Sequence, residues 1–216
     1  MEQDIVIVVA GGAPVDTPVP LPLPTGARVI AADGGVDRAL ALGLQVDVAI
    51  GDFDSASLEG VAAVEAAGAR IVRHPPDKDA TDLELAIDAA VALSPGRVLV
   101  IGHDGGRLDH LLSALLLLGS DRYAGVEVDG YLGPALAHVV RHDRTLSGNT
   151  GELVSLLPLH GPAESVTTAG LTYPLRGETL LPGSSRGVSN VFATGEARIT
   201  VGRGTLIAVR PQTEAR

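Results

Sequence analysis

From Asp4 to about Leu118 short apolar runs alternate with helix-length amphipathic stretches, and this rhythm constrains the fold more than any other feature of the chain. Ile5–Ala10, Arg28–Ala32, Val46–Gly51, Arg70–Arg73 and Arg97–Gly102 read as strands; Val36–Leu42, Leu58–Ala67, Thr81–Leu93 and Leu108–Leu118 read as helices. Such a βαβα succession gives a mostly parallel sheet covered by helices. Pro14–Gly26 holds five prolines and reads as an irregular connection. Beyond about Ser120 the pattern changes to short β-type runs separated by Gly, Pro, Asn and Ser turns. These are Ala137–Arg141, Leu153–Leu157, Ser165–Thr168, Val188–Ala193, Ala197–Val201 and Thr205–Arg210. The expected plan is an α/β domain over 1–125 and an all-β domain, a sandwich or barrel, over 126–216, with a transition near 120–145.

Several functional classes are excluded by what the chain lacks. There is no cysteine, hence no disulfide framework, thiolate metal site or cysteine nucleophile. The net charge is −10 and the basic residues are scattered, so a footprint for a nucleic-acid backbone is missing. The start, MEQDIVIVVAGG, is acidic where a secretory signal is basic, and the longest later apolar run, Leu111–Leu118, is too short to span a bilayer. A cytoplasmic protein with no membrane segment is the expectation. With Lys78 the only lysine and Asp77 before it, no Walker A loop exists, and no G-x-G-x-x-G follows any of these strands.

Ligands of an open parallel sheet gather at the carboxyl ends of its strands. The acidic residues of the first half fall there: Asp33 after Arg28–Ala32, Asp52 and Asp54 in GDFDS after Val46–Gly51, and Asp104 after Arg97–Gly102. Asp52 and Asp54 suit a turn or helix cap, but an extended D-x-D also points two carboxylates to one side, where their hard oxygens suit Mg²⁺. In DKDATD, Asp77, Asp79 and Asp82 surround the lone lysine ahead of LELAIDAA. Thr81 or Asp79 can cap that helix, yet capping does not account for three aspartates interleaved with Lys78; the group can hold a metal and offer an ammonium to a phosphate. In GHDGGRLDH a Gly105-Gly106 turn precedes Arg107 and a helix N-terminus, where amides and a guanidinium fork suit an anion. His103 and His110 flank it and read mainly as packing or surface histidines.

Four ordered motifs, ADGG (Ala32–Gly35), GDFDS (Gly51–Ser55), KDATDLELA (Lys78–Ala86) and GGRLDH (Gly105–His110), resemble those of the thiamine pyrophosphokinase family. GLTYPL (Gly170–Leu175) and RGVSN (Arg186–Asn190) look like its thiamine-binding segments. The resemblance implies a Rossmann-like, mostly parallel sheet with helices on both faces, a C-terminal β-sandwich, and a homodimer whose active site lies where the catalytic domain of one subunit meets the β-domain of the other. It implies Mg²⁺ on Asp52, Asp54 and Asp82, and nucleotide phosphates near Asp33, Gly34, Lys78, Thr81 and Arg107. Thiamine would meet Asp109, Tyr173, Ser189 and Asn190. The family's aromatic at the Tyr173 position can be tryptophan, which this chain lacks.

The implied reaction is attack of the thiamine hydroxyl on the β-phosphorus of ATP, releasing AMP. Lys78 and Arg107 would offset developing charge, and Asp79 or Asp109 would accept the proton. Two rivals stand beside it: a pterin diphosphokinase with the same acidic half, and a non-catalytic nucleotide or thiamine sensor or cell-division component. The β-half motifs argue against the first, and the completeness of all four acidic motifs against the second.

Overall fold

The structure is a computed structural model describing residues 4–12, 23–102 and 107–211. Two compact units form, residues 1–114 with 125–133, and residues 115–124 with 134–216. The first contains β1 (Ile5–Ala10), β2 (Arg28–Ala32), α1 (Gly35–Ala41), β3 (Val48–Gly51), α2 (Leu58–Ala66), β4 (Arg70–Arg73), α3 (Asp82–Val91), β5 (Arg97–Gly102), the start of α4 (Leu108–Leu118) and β6 (Glu127–Leu132). Its strands lie in the order β4-β3-β2-β1-β5-β6, every neighbouring pair parallel.

Continuous apolar runs in the sequence become strands buried on both faces. Val6 to Ala10 of β1 are all buried, with α1 and α3 both packed against this strand. Gly35 opens α1 because a Cβ there would sit 2.0 Å from the Val9 carbonyl oxygen. Caps are local. Ser57 Oγ accepts from the Gly60 amide at the start of α2 (2.9 Å), and Thr81 Oγ1 from the Glu84 amide at the start of α3 (3.2 Å).

The stretch read as a transition contains β6. Its sequence, EVDGYL, interrupts the apolar pattern with Asp129 and Gly130. Asp129 is nevertheless buried, because Arg97 of the adjacent β5 pairs with its carboxylate. A buried charge is tolerated when its partner is supplied with it, and that partner lies 32 residues earlier in the chain.

The second unit holds the end of α4, a 3₁₀ turn (Asp121–Tyr123), β7 (Ala135–Val140), β8 (Asp143–Ser147), β9 (Leu153–Ala169), β10 (Arg176–Leu180), β11 (Asn190–Val191), β12 (Glu196–Thr200) and β13 (Arg203–Pro211). The order is β7-β13-β9-β12-β8, with β10 and β11 also on β9, and these pairs are antiparallel. Leu156, Val166, Leu180, Phe192, Ile199 and Leu206 fill the core.

Two expected strands, Leu153–Leu157 and Ser165–Thr168, are parts of the single 17-residue β9. Pro158 and His160-Gly161 read as a break, but they form an irregularity within one strand, with His160 at φ 59° and Ser165 at φ 54°. Across it, β9 passes from β13 to β10 and β12 as partners. Among the described residues no helix is long and apolar enough to cross a membrane.

Candidate active site

Carboxylates from three segments of the first unit converge. Asp33, Asp52 and Asp82 each offer an oxygen, and these oxygens all lie within 4.8 Å of one another. Asp33 follows β2 in the left-handed region (φ 46°); its amide donates to the Ile50 carbonyl (2.9 Å), tying the end of β2 to β3. Asp52 follows β3, and Asp82 is the first residue of α3 beyond its Thr81 cap. Gly51 makes the convergence possible. A Cβ there would come within 3.1 Å of Asp33 Cβ and 3.2 Å of Asp82 Oδ1.

Lys78 sits within this group. Its Nζ lies 3.0 Å from Asp52 Oδ2 and 3.1 Å from Asp82 Oδ1, and it donates to the Pro75 carbonyl at 3.3 Å. Burial opposes the Lys78 charge, but its hydrogen bond to Asp52 and its ion pair with Asp82 outweigh this and raise its pKa. The Lys78 hydrogen bond holds the Asp52 carboxyl below its usual range. Asp82 shifts upward, first because burial strips its water and then because Asp52 and Asp33 add negative charge, Lys78 opposing. Asp82 Oδ1 is shielded from solvent and has no hydrogen bond, its approach to Lys78 being an ion pair only. A buried, under-coordinated carboxylate oxygen among two others fits a hard divalent cation.

The D-x-D segment is not extended, contrary to expectation. Phe53 adopts φ 62° and buries its ring beneath the Arg73 guanidinium, 5.0 Å from the ring centroid, so the backbone turns between the two aspartates. The Asp54 amide donates to Asp52 Oδ1 (3.2 Å), while Asp54 Oδ1 accepts from Ser55 Oγ (2.8 Å). Asp54 is thus exposed and outside the converging trio, whereas Asp33, expected beside the phosphates, is inside it. Gly34, the N-cap residue of α1, follows Asp33, and a Cβ on it would meet the Ser55 carbonyl at 3.2 Å. Asp77 and Asp79 are exposed, and the Thr81 hydroxyl serves the cap. His103, Asp104, Gly105 and Gly106 lie outside the described residues.

Arg107 forks onto Asp109 through Nε (2.9 Å) and Nη2 (2.6 Å) at the start of α4, both side chains exposed. That contact holds the Asp109 carboxyl far below the usual carboxylate range.

In the second unit, Tyr173, Leu175 and residues 184–190 line a cleft of about 490 Å³, so the GLTYPL and RGVSN segments share one concavity. The Thr172 amide donates to the Val191 carbonyl (2.9 Å), joining them. Tyr173 is 59% exposed at the cleft, and Ser189 is exposed in the left-handed region (φ 57°), its amide donating to Ser155 Oγ (3.1 Å). Asn190 is only 3% exposed, with its amide turned onto the Tyr173 backbone. Arg186 forks onto Glu178 (2.8 and 2.9 Å). Gly51, Leu175 and Glu178 did not emerge from the sequence as site residues; for Gly51 the available signal was its place at the head of GDFDS.

Comparison with known proteins agrees with both halves. A family model described as thiamin pyrophosphokinase, catalytic domain, matches residues 25–128, and one described as thiamin pyrophosphokinase, vitamin B1 binding domain, matches 137–206. The chain is 28% identical over 189 residues to thiamine pyrophosphokinase of Bacillus subtilis, covering 84% of this chain and 86% of that one. It is 26% identical over 200 residues to thiamine pyrophosphokinase 1 of Oryza sativa subsp. japonica, covering 79% and 74%. Among solved structures it resembles a thiamin pyrophosphokinase family protein of Enterococcus faecalis, at 26% identity and TM-score 0.83 over 98% of this chain and 100% of that one. Matched over its parallel-sheet half and over the cleft-bearing β half alike, the chain belongs to the thiamine pyrophosphokinase family.

Proposed function

We propose that this protein transfers diphosphate from ATP to the hydroxyl of thiamine, giving thiamine diphosphate and AMP. The observation that carries the reading is the coexistence of the Asp33–Asp52–Asp82 cluster bearing Lys78 with the Tyr173 cleft in a chain matched to both parts of this family. Asp52 and Asp82, with Asp33, would hold Mg²⁺; Asp54, exposed at its own turn, would assist through the Asp52 carboxylate to which its amide donates. Bound there, Mg²⁺ supplies charge neutralisation for the polyphosphate.

The chain's own groups do the rest. Lys78 offers an ammonium to the phosphates, and Arg107 a guanidinium once it leaves Asp109; Gly34 and Thr81 lie at helix starts on the same strand-end surface. The new bond joins the thiamine oxygen to the β-phosphorus, and the bond from that phosphorus to the oxygen it shares with the α-phosphorus breaks. AMP carries away that oxygen with its electrons. A carboxylate takes the hydroxyl proton. Asp79 is exposed for this role, and Asp109 becomes available for it once Arg107 has left. Tyr173 gives a face for the cationic vitamin, with Ser189 beside it.

The reading includes a homodimer in which the acidic cluster of one subunit works with Tyr173 of the partner subunit. Supporting it, Leu108, Leu112 and Leu116 follow one another at spacing four along α4 and are 68%, 51% and 45% exposed, an apolar stripe that a second copy can cover. The protein would act in the cytoplasm. Asp52→Asn tests the core of the proposal: it keeps volume but removes a ligand charge. Turnover should fall by about a hundredfold or more with the fold intact. Near wild-type turnover with unchanged Mg²⁺ dependence refutes the metal assignment.

A further inference from the structure

Asn190 ends the RGVSN segment, and the resemblance would place it against thiamine. Its surroundings give it another task. The Oδ1 atom accepts from the Tyr173 amide (3.0 Å) and from its neighbour's, Val191 (2.9 Å), while Nδ2 donates to the Tyr173 carbonyl (2.7 Å). Both lone pairs of the oxygen and one of the two N–H groups are therefore committed, all to main chain. At 3% exposure the side chain has almost no surface for a ligand.

The residue it grips is the opposite. Tyr173 is 59% exposed at the cleft, and a tyrosine in a loop has no sheet ladder to orient it. Asn190 supplies the missing ladder, binding the N–H and the C=O of one residue as a neighbouring strand would. Pro174 adds to this, since the residue before a proline is restricted to extended backbone. With its backbone pinned on both sides, the ring is held ready at the cleft and binding need not order it.

We infer that Asn190 is a positioning residue that acts on thiamine only through Tyr173, by clamping the Tyr173 peptide groups so that the ring is presented to the cleft. The inference rests on the proposed thiamine site. Leu175, buried beneath the cleft with its amide bonded to Thr168 Oγ1 (2.9 Å), anchors the other end of the same loop.

The test is a double-mutant cycle on the full-length protein, with thiamine binding measured by calorimetry beside steady-state kinetics. Asn190→Asp keeps the shape and the acceptor but sets a carboxylate oxygen against the Tyr173 carbonyl. It should raise the thiamine KM about tenfold, more than it lowers kcat, with the ATP KM unmoved. In a Tyr173→Ala background the same substitution should change the thiamine KM by less than about twofold. If Asn190→Asp fails to fold, Asn190→Ser, smaller and neutral, is read in the same way. A penalty that persists undiminished without the Tyr173 ring, or no penalty at all, overturns the positioning role while leaving the thiamine site standing. Wild-type protein that neither binds nor converts thiamine refutes the proposed function itself, and the inference with it.

Discussion

Gly51→Ala offers a test of the acidic cluster that removes no charge and no hydrogen bond. An added Cβ would lie 3.1 Å from Asp33 Cβ, 3.2 Å from Asp33 Cα and 3.2 Å from Asp82 Oδ1, about 0.2 to 0.3 Å inside an ordinary contact that begins at 3.4 Å. The backbone there, at φ 154°, also disfavours an L side chain. Relief therefore requires Asp33 and Asp82 to retreat together. Ligand distances in a metal site hold to about 0.2 Å, so the displacement is as large as the whole tolerance and falls on two ligands at once. The expected cost is about 1–3 kcal/mol of stability and about a ten- to hundredfold loss of divalent-cation affinity, the range seen when a site's supporting groups are disturbed. Titration with Mn²⁺ followed by electron paramagnetic resonance, together with metal-free thermal melts, separates the two effects. A variant that binds Mn²⁺ as tightly as the wild type would show that the trio does not hold the metal.

Lys78→Met should abolish turnover yet tighten Mn²⁺ binding in the absence of nucleotide, because the ammonium that neutralises Asp52 and Asp82 is removed; equal or weaker binding in the same titration would contradict the arrangement. Arg97→Met removes the ion-pair partner of the buried Asp129 carboxylate and should cost about 3 kcal/mol in urea denaturation, with the midpoint rather than the slope changing. Thr81→Ala should cost about 1 kcal/mol of stability through loss of the α3 cap; a larger fall in turnover than that loss explains would show that the hydroxyl also meets the nucleotide. Leu112→Glu places a charge in the middle of the exposed α4 stripe and should convert a dimer to monomers in sedimentation experiments, whereas an unchanged mass would remove this stripe from the interface.

The parallel half was legible because strands buried on both faces leave uninterrupted apolar runs: β1, β2, β4 and β5 fall on the expected residues, and α4 does too. β6 escaped notice because Asp129 and Gly130 break its pattern, and the compensating Arg97 is remote in sequence. β8 and β10, DRTLS and RGETL, carry their polar residues outward and offer too few apolar positions to be read as strands. β9 was divided by prolines that an irregular strand accommodates.

At the site, residue types and order pointed to acidic metal chemistry at strand ends, and the structure gathers Asp33, Asp52, Asp82 and Lys78 there. Which carboxylates converge depends on a backbone turn at Phe53 that the D-x-D spacing does not reveal. Likewise Asn190 and Tyr173 are both present in the motifs, but the clamp between them spans 17 residues and exists only after folding.

The most direct test of the account is the fate of the phosphates. Purified protein incubated with ATP, Mg²⁺ and thiamine should yield thiamine diphosphate and AMP in equal amounts, both the β- and γ-phosphorus of ATP appearing in the vitamin by ³¹P magnetic resonance. Thiamine monophosphate with ADP, or no conversion by protein that binds both substrates, would contradict diphosphate transfer.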